Sequence, residues 1–191
     1  GVRGMRLAIE LARSGGIGLV SIRECSSAAA MGRYVDLAAH EGMVAFAFTN
    51  GSSIIAPWGG ARRLLGNQAH AVGSPAGRHA PLVYDSAVTR MSTGEIDTLH
   101  ERGELLPEDV LLDATGTPTR DPSAWVTGML VPSGGHRGYG LAVMLELLTG
   151  VLSGGNVFAP EVGQPGELTT RQGIGLFLLA LDPAVLSPRG E

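Results

Sequence analysis

Apolar residues Met5, Leu7, Ala8, Ile9, Leu11 and Ala12 recur at helical spacing and stop at Gly15-Gly16. Paired glycines suit a helix end, because the left-handed conformation that closes a helix costs glycine little. The short apolar run Ile17-Gly-Leu-Val-Ser-Ile22 then predicts a strand. Ala29, Ala30, Tyr34, Leu37 and Ala38 return to helical spacing, so a helix is expected over 28–40 with Ser27 as its N-cap. Met43 to Phe48 reads as a second strand. Strand, helix and strand in that order predict a βαβ unit with parallel pairing.

From Thr49 to Gly77 the chain is rich in Gly, Ser, Pro and Asn, with Ala56-Pro57-Trp58-Gly59-Gly60 at the centre. A loop of that length is usually functional or disordered, and a tryptophan argues for order. Pro81 to Tyr84 predicts a short strand ending at Asp85; Thr93 to Arg102 predicts a helix that Gly103 stops. Asp113 to Pro122 is rich in turn residues. Tyr139 to Leu152 is nearly all apolar, interrupted by Glu146 and Thr149, and reads as a buried helix; Gly173 to Asp182 reads as a buried strand. With no internal repeat and no visible boundary, residues 1–191 are expected to form one α/β domain of three layers. Its sheet is expected to be mixed and partly parallel, with function on the loops that follow the strands.

Composition narrows the function classes. At 44% hydrophobic content the chain can bury a core. A formal charge of −4 leaves no basic face, which excludes nucleic acid as a partner. All 14 basic residues are arginine, so an arginine standing where a relative has lysine says little by itself. One cysteine cannot form an internal disulfide and no Cys/His spacing fits zinc, so no metal site and a reducing cytoplasm are expected. The apolar run 139–152 is shorter than the roughly 20 residues a bilayer needs, so no membrane span is predicted. The sequence opens on Gly1 directly into a helical pattern, which is read as a fragment of a longer chain.

Three places carry candidate chemistry. Gly134-Gly135-His136-Arg137-Gly138-Tyr139-Gly140 precedes a predicted helix, where backbone N–H groups and the helix dipole could hold a phosphate or carboxylate. The same glycines could instead serve only a tight turn and close packing, and the spacing is not GxGxxG. Asp85, followed by Ser86 and Ala87 at a strand end, is placed either to accept from a ribose hydroxyl or to cap the next segment. Cys25, Ser26 and Ser27 follow a strand, where a thiol or hydroxyl could be activated as a nucleophile. No GxSxG elbow accompanies them, and N-capping by Ser27 is the simpler role.

Taken in order, GGIGLVSIR, AFTNG, APWGG, LVYDSAV, LLDATGTPTRDP, GMLVPSGGHRGYGLAVMLELLTGVLSGG and GLFLLALDP resemble the malate/L-lactate/ureidoglycolate dehydrogenase family. The resemblance covers nearly the whole chain and is most specific over 128–155. It implies a non-Rossmann cofactor-binding domain, NAD or NADP as cofactor, a small 2-hydroxy or 2-oxo acid as substrate, and a homodimer. It also implies that the family's N-terminal helical region and C-terminal segment lie outside these residues. Cofactor contacts fall by resemblance on Asp85, Ser86, Ala87 and the glycine block Gly134, Gly135, His136 and Arg137, with arginine where lysine is usual. Where the family commonly reads RNSNHFGAAGYY, this chain reads RECSSAAAMGRY, so Ser27 stands at the position of the catalytic histidine. The family's TNS and GTNP become Thr49-Asn50-Gly51 and Gly66-Asn67-Gln68-Ala69. The resemblance thus implies a 2-hydroxyacid oxidoreductase, or a silent homologue serving as a cofactor-binding or dimer-partner subunit.

Overall fold

The computed structural model describes residues 1–155, 157–158 and 171–185. Helix α1 (Val2–Gly15) ends as its sequence predicts: Gly16 is left-handed at φ 83° and its N–H donates to the Ala12 carbonyl at 2.7 Å. Strand β1 (Ile17–Cys25) follows, then α2 (Gly32–His40), β2 (Val44–Thr49), β3 (His70–Ala76) and β4 (His79–Ser86). A second part holds α3 (Thr93–Glu101), the short strands β5 (Leu111–Leu112), β6 (Pro118–Thr119) and β7 (Met129–Leu130), and α4 (His136–Glu146), which runs into a π-helical turn at Leu147–Val151. Strand β8 (Ile174–Leu181) returns to the main sheet.

The α/β class is as expected, but the sheet is antiparallel, which corrects the mixed, partly parallel sheet predicted from the βαβ pattern. Its order is β1-β8-β2-β3-β4, and every neighbouring pair is antiparallel. Strands β1 and β2 do run the same way, yet β8 lies between them and pairs with both. The reason is the apolar run of β8. Leu176, Leu178 and Ala180 are buried in the core with α1 and α2, while Phe177 stacks on Phe48 on the other face. A strand that is hydrophobic on both faces belongs at the centre of a sheet.

Helices α1 and α2 cover one face closely because a row of small residues lets them. A Cβ on Gly18 would sit 1.8 Å from the Ala8 carbonyl oxygen, and one on Gly73 would sit 2.8 Å from that of Val35. On the opposite face the π-helical turn packs against Gly175, whose added Cβ would lie 1.7 Å from the Thr149 oxygen. A second core gathers Ile55, Leu65, Val88, Ile96, Leu111 and Leu130.

Three local expectations are corrected. Helix α2 starts at Gly32, not 28, and Ser27 does not cap it: Met31 is the N-cap and Ala29 holds a left-handed φ of 56°, which a helix excludes. The predicted loop 49–77 contains β3, masked in the sequence by Gly73, Ser74 and Pro75; the proline falls where the register to β4 shifts between Ser74 and Ala76. The apolar helix starts at His136, earlier than 139, and is not buried all round. Leu141, Met144, Val151 and Leu152 are exposed, whereas the charged Glu146 points inward at 4% exposure. Among the described residues no helix is long and apolar enough to cross a membrane.

Candidate functional site

Two of the sequence-predicted stretches meet. The segment that leaves β4 after Asp85-Ser86-Ala87 pairs with the segment that enters the glycine block: Ser133 donates its N–H to the Val88 carbonyl at 2.6 Å, and Thr89 bridges to Pro132. Val88 in turn donates to the Asn67 carbonyl at 2.9 Å. Gly66 lies directly on Gly51, since a Cβ at Gly66 would approach the Gly51 backbone within 2.7 Å. So the ends of β2 and β4, the 66–67 turn and the start of α4 form one surface.

The glycine block turns tightly into α4 and is the candidate cradle for an anion. Gly134 and Gly135 have φ of 71° and 63°, which favour glycine, and a Cβ at Gly135 would come within 3.0 Å of the Trp58 ring. Helix α4 is 11 residues long and starts at His136, so its first N–H groups lie beside Arg137. Both His136 and Arg137 are exposed, and Arg137 forms no ion pair among the described residues. The Gly135 and Arg137 N–H groups donate to the Pro132 and Gly134 carbonyls at 3.1 and 3.3 Å, so an anion would be met by the Arg137 guanidinium and the remaining N–H groups of the first turn. The exposed Arg137 at this helix start is compatible with an anionic group such as the pyrophosphate of the dinucleotide implied by the resemblance.

Asp85 has a task within the chain. Its Oδ2 accepts from the Gly32 N–H at 2.7 Å, so the carboxylate caps α2 from a strand remote in sequence, which explains why Ser27 is not needed there. This contact also ties the cofactor candidates to the stretch that holds Ser27. Ser86 turns its hydroxyl onto the neighbouring Ala87 carbonyl at 3.3 Å. Ser27 itself is exposed and its hydroxyl has no hydrogen bond among the described residues. The backbone after it is pinned: Tyr34 Oη donates to the Ala28 carbonyl at 2.5 Å, and burial, with a smaller electrostatic effect of nearby Cys25, pushes the phenol above its ordinary pKa. Cys25 Sγ lies 3.9 Å from the Arg23 carbonyl, with no base beside it in the described contacts. Among the described residues nothing there activates a nucleophile.

A polar cluster behind this surface escaped the sequence reading. Glu146 accepts from Asn50 Nδ2 at 3.4 Å, from the Phe158 N–H at 3.1 Å and from Gln68 Nε2, while Asn50 Oδ1 accepts from the Gly175 N–H at 2.8 Å. All three side chains are buried. The cluster binds α4 to the two turns at 50–51 and 66–68. Its one sequence signal is an acidic residue inside an otherwise apolar helix.

The fold and this surface define an α/β protein whose glycine-rich helix start, with an exposed arginine, adjoins the end of the strand β4. The chain belongs to the malate/L-lactate dehydrogenase family, whose profile matches residues 1–191. It is 36% identical over 184 residues to L-sulfolactate dehydrogenase from Methanothermobacter thermautotrophicus, covering 95% of this chain and 53% of that protein. It is 38% identical over 192 residues to (2R)-3-sulfolactate dehydrogenase (NADP(+)) from Chromohalobacter salexigens, covering 97% and 56%. The crystal structure of delta1-piperideine-2-carboxylate reductase from Pseudomonas syringae superposes with a TM-score of 0.86 at 34% identity, covering 95% of this chain and 55% of that one. The chain thus spans about half the length of the curated relatives it matches.

Proposed function

We propose that this chain is the cofactor-holding part of an NAD(P)-dependent oxidoreductase that transfers hydride between the nicotinamide and a small 2-hydroxy or 2-oxo acid. The observation that carries it is the meeting of Asp85–Ala87 with Gly134–Arg137 through the Ser133–Val88 hydrogen bond. Family membership supports the reaction class, and the relatives' names support a small acid and, for one of them, NADP. Helices α1 and α2 on one face of the sheet, and the end of α4 with its π-helical turn over part of the other, support reading it as a three-layer, non-Rossmann cofactor domain. The lone, partly buried thiol of Cys25 fits a cytoplasmic setting.

When bound, the dihydronicotinamide supplies the hydride. Arg137 and the remaining N–H groups at the start of α4 would hold the pyrophosphate charge, and the second oxygen of Asp85 would accept from a ribose hydroxyl while the first keeps Gly32. Ser27 stands where the family places its proton-transfer imidazole. A serine hydroxyl titrates far above neutrality and cannot take the alcohol proton unaided, which removes about 10²- to 10⁴-fold of rate. The second reading, a catalytically silent homologue that serves as a binding or dimer-partner subunit, is favoured by the exposed and unassisted Ser27 hydroxyl.

A protein containing this whole chain together with the regions its relatives add is the one to assay, following oxidation of NADH and NADPH by a panel of 2-oxo acids. Turnover by the wild type, or turnover gained by Ser27→His, supports the enzyme; silence of both supports the second reading. A homodimer is part of this proposal, supported by the apolar part of that second sheet face which the π-helical turn leaves open. Two cross-strand rows, Leu19-Leu179-Phe46-Val72-Tyr84 and the neighbouring Ile17-Leu181-Val44 with Ser74-Leu82, lie opposite α1 and α2. Leu19, Ile17, Leu82 and Tyr84 are 45–70% exposed, and contiguous patches of this kind mark association surfaces.

A further inference from the structure

Beside the glycine block lies a cleft of about 410 Å³, between the Ala56–Ala61 loop and β7. That volume is within the range of about 300–1,000 Å³ usual for small-ligand sites. Its walls are Pro57, Trp58, Leu112, Leu130, Val131 and Pro132, completed by the backbone of Gly59, Gly60 and Gly116, and no charged side chain lines it. Trp58 is 57% exposed although its loop is ordered by the Ile55–Leu65 bridge. A large indole left half in solvent at a cleft mouth is a platform for a flat ring.

The order of the contacts decides which ring. Pro132 lines the cleft, Ser133 pairs with Val88, and Gly134–Arg137 form the cradle. From Val88 the chain runs back to Asp85, which holds Gly32, and Gly32 closes the stretch that bears Ser27. Cleft, cradle, Asp85 and the stretch bearing Ser27 are thus linked in that order by the contacts between them. A dinucleotide with its pyrophosphate on the cradle and its reactive ring toward Ser27 would have the cleft on the side of its other ring. A neutral, apolar slot suits a purine and excludes phosphate or carboxylate. Backbone N–H groups of Gly59 and Ala61, without partners among the described residues, are on hand for the ring edge.

We propose that this cleft takes the adenine ring of the cofactor, with Trp58 as its stacking wall; the assignment rests on the proposed function. The test is calorimetric titration of wild-type, Trp58→Ala and Trp58→Phe chains with NADH, NADPH, AMP and reduced nicotinamide mononucleotide, which lacks the adenine. The exposure of Trp58 leaves the fold out of the comparison, and circular dichroism checks it. Trp58→Ala is expected to weaken the dinucleotides and AMP by roughly 5- to 100-fold, the size of one base-stacking contact. Trp58→Phe is expected to restore most of that loss, and the mononucleotide to bind all three chains alike. Equal binding of AMP to wild type and Trp58→Ala overturns the assignment, as does an equal loss of dinucleotide and mononucleotide. A wild type that binds neither dinucleotide removes the proposed function, and this assignment with it.

Discussion

Ser27, Arg137 and Glu146 each replace or add one functional group, and each has a separable consequence. If Ser27 removed only the proton-transfer group, Ser27→His in the longer protein raises kcat by about 10²- to 10⁴-fold and gives a pH profile with an inflection near the imidazole range. An unchanged rate would mean that more than the base is gone. Glu146 is buried at 4% exposure and receives three N–H donors. Glu146→Gln turns one acceptor into a donor that faces other donors, so a loss of about 1–3 kcal/mol in chemical denaturation is expected. Equal stability would show that the cluster adapts by rotating an amide. This cluster was illegible in the sequence because its members are 18 and 78 positions apart, joined only by the return of α4 to the β2 end.

At the scale of elements, what could be read from the chain was what local pattern decides. Helix α1 and its Gly16 stop, β2, and α3 with its stop at Gly103 follow from spacing and end signals, while the capping box of Ser92 and Glu95 that opens α3 is a finding of the structure. Ser92→Ala is expected to cost about 1 kcal/mol by thermal or chemical unfolding, and an unaltered midpoint would remove the capping box from the account. What could not be read depends on partners far along the chain. The start of α2 is set by the Asp85 carboxylate, and parallel pairing of β1 with β2 is prevented by β8, more than 100 residues later. The glycine of the β1 pattern, by contrast, has a reason visible only in space. Gly18→Ala puts a methyl 1.8 Å from the Ala8 oxygen, so α1 must lift from the sheet. Overpacking of that kind costs about 1–3 kcal/mol; an alanine variant as stable as the wild type would contradict this packing of α1.

For the whole molecule, the two open rows of the sheet predict self-association. In sedimentation equilibrium the chain is expected to be dimeric at micromolar concentration, and Leu19→Asp with Tyr84→Asp to return it to monomer. A monomeric wild type would assign that face to the polypeptide its longer relatives carry beyond the matched half. The central claim, that the β4 end and the start of α4 jointly hold a nicotinamide dinucleotide, does not depend on that outcome. It is tested most directly by titrating NADH and NADPH into wild-type and Arg137→Ala chains, read by energy transfer from tryptophan to the dihydronicotinamide. Saturable binding to the wild type, weakened about tenfold in Arg137→Ala by loss of a charge-assisted contact, is the predicted result. No saturable binding of either cofactor, or equal binding by both chains, would contradict it.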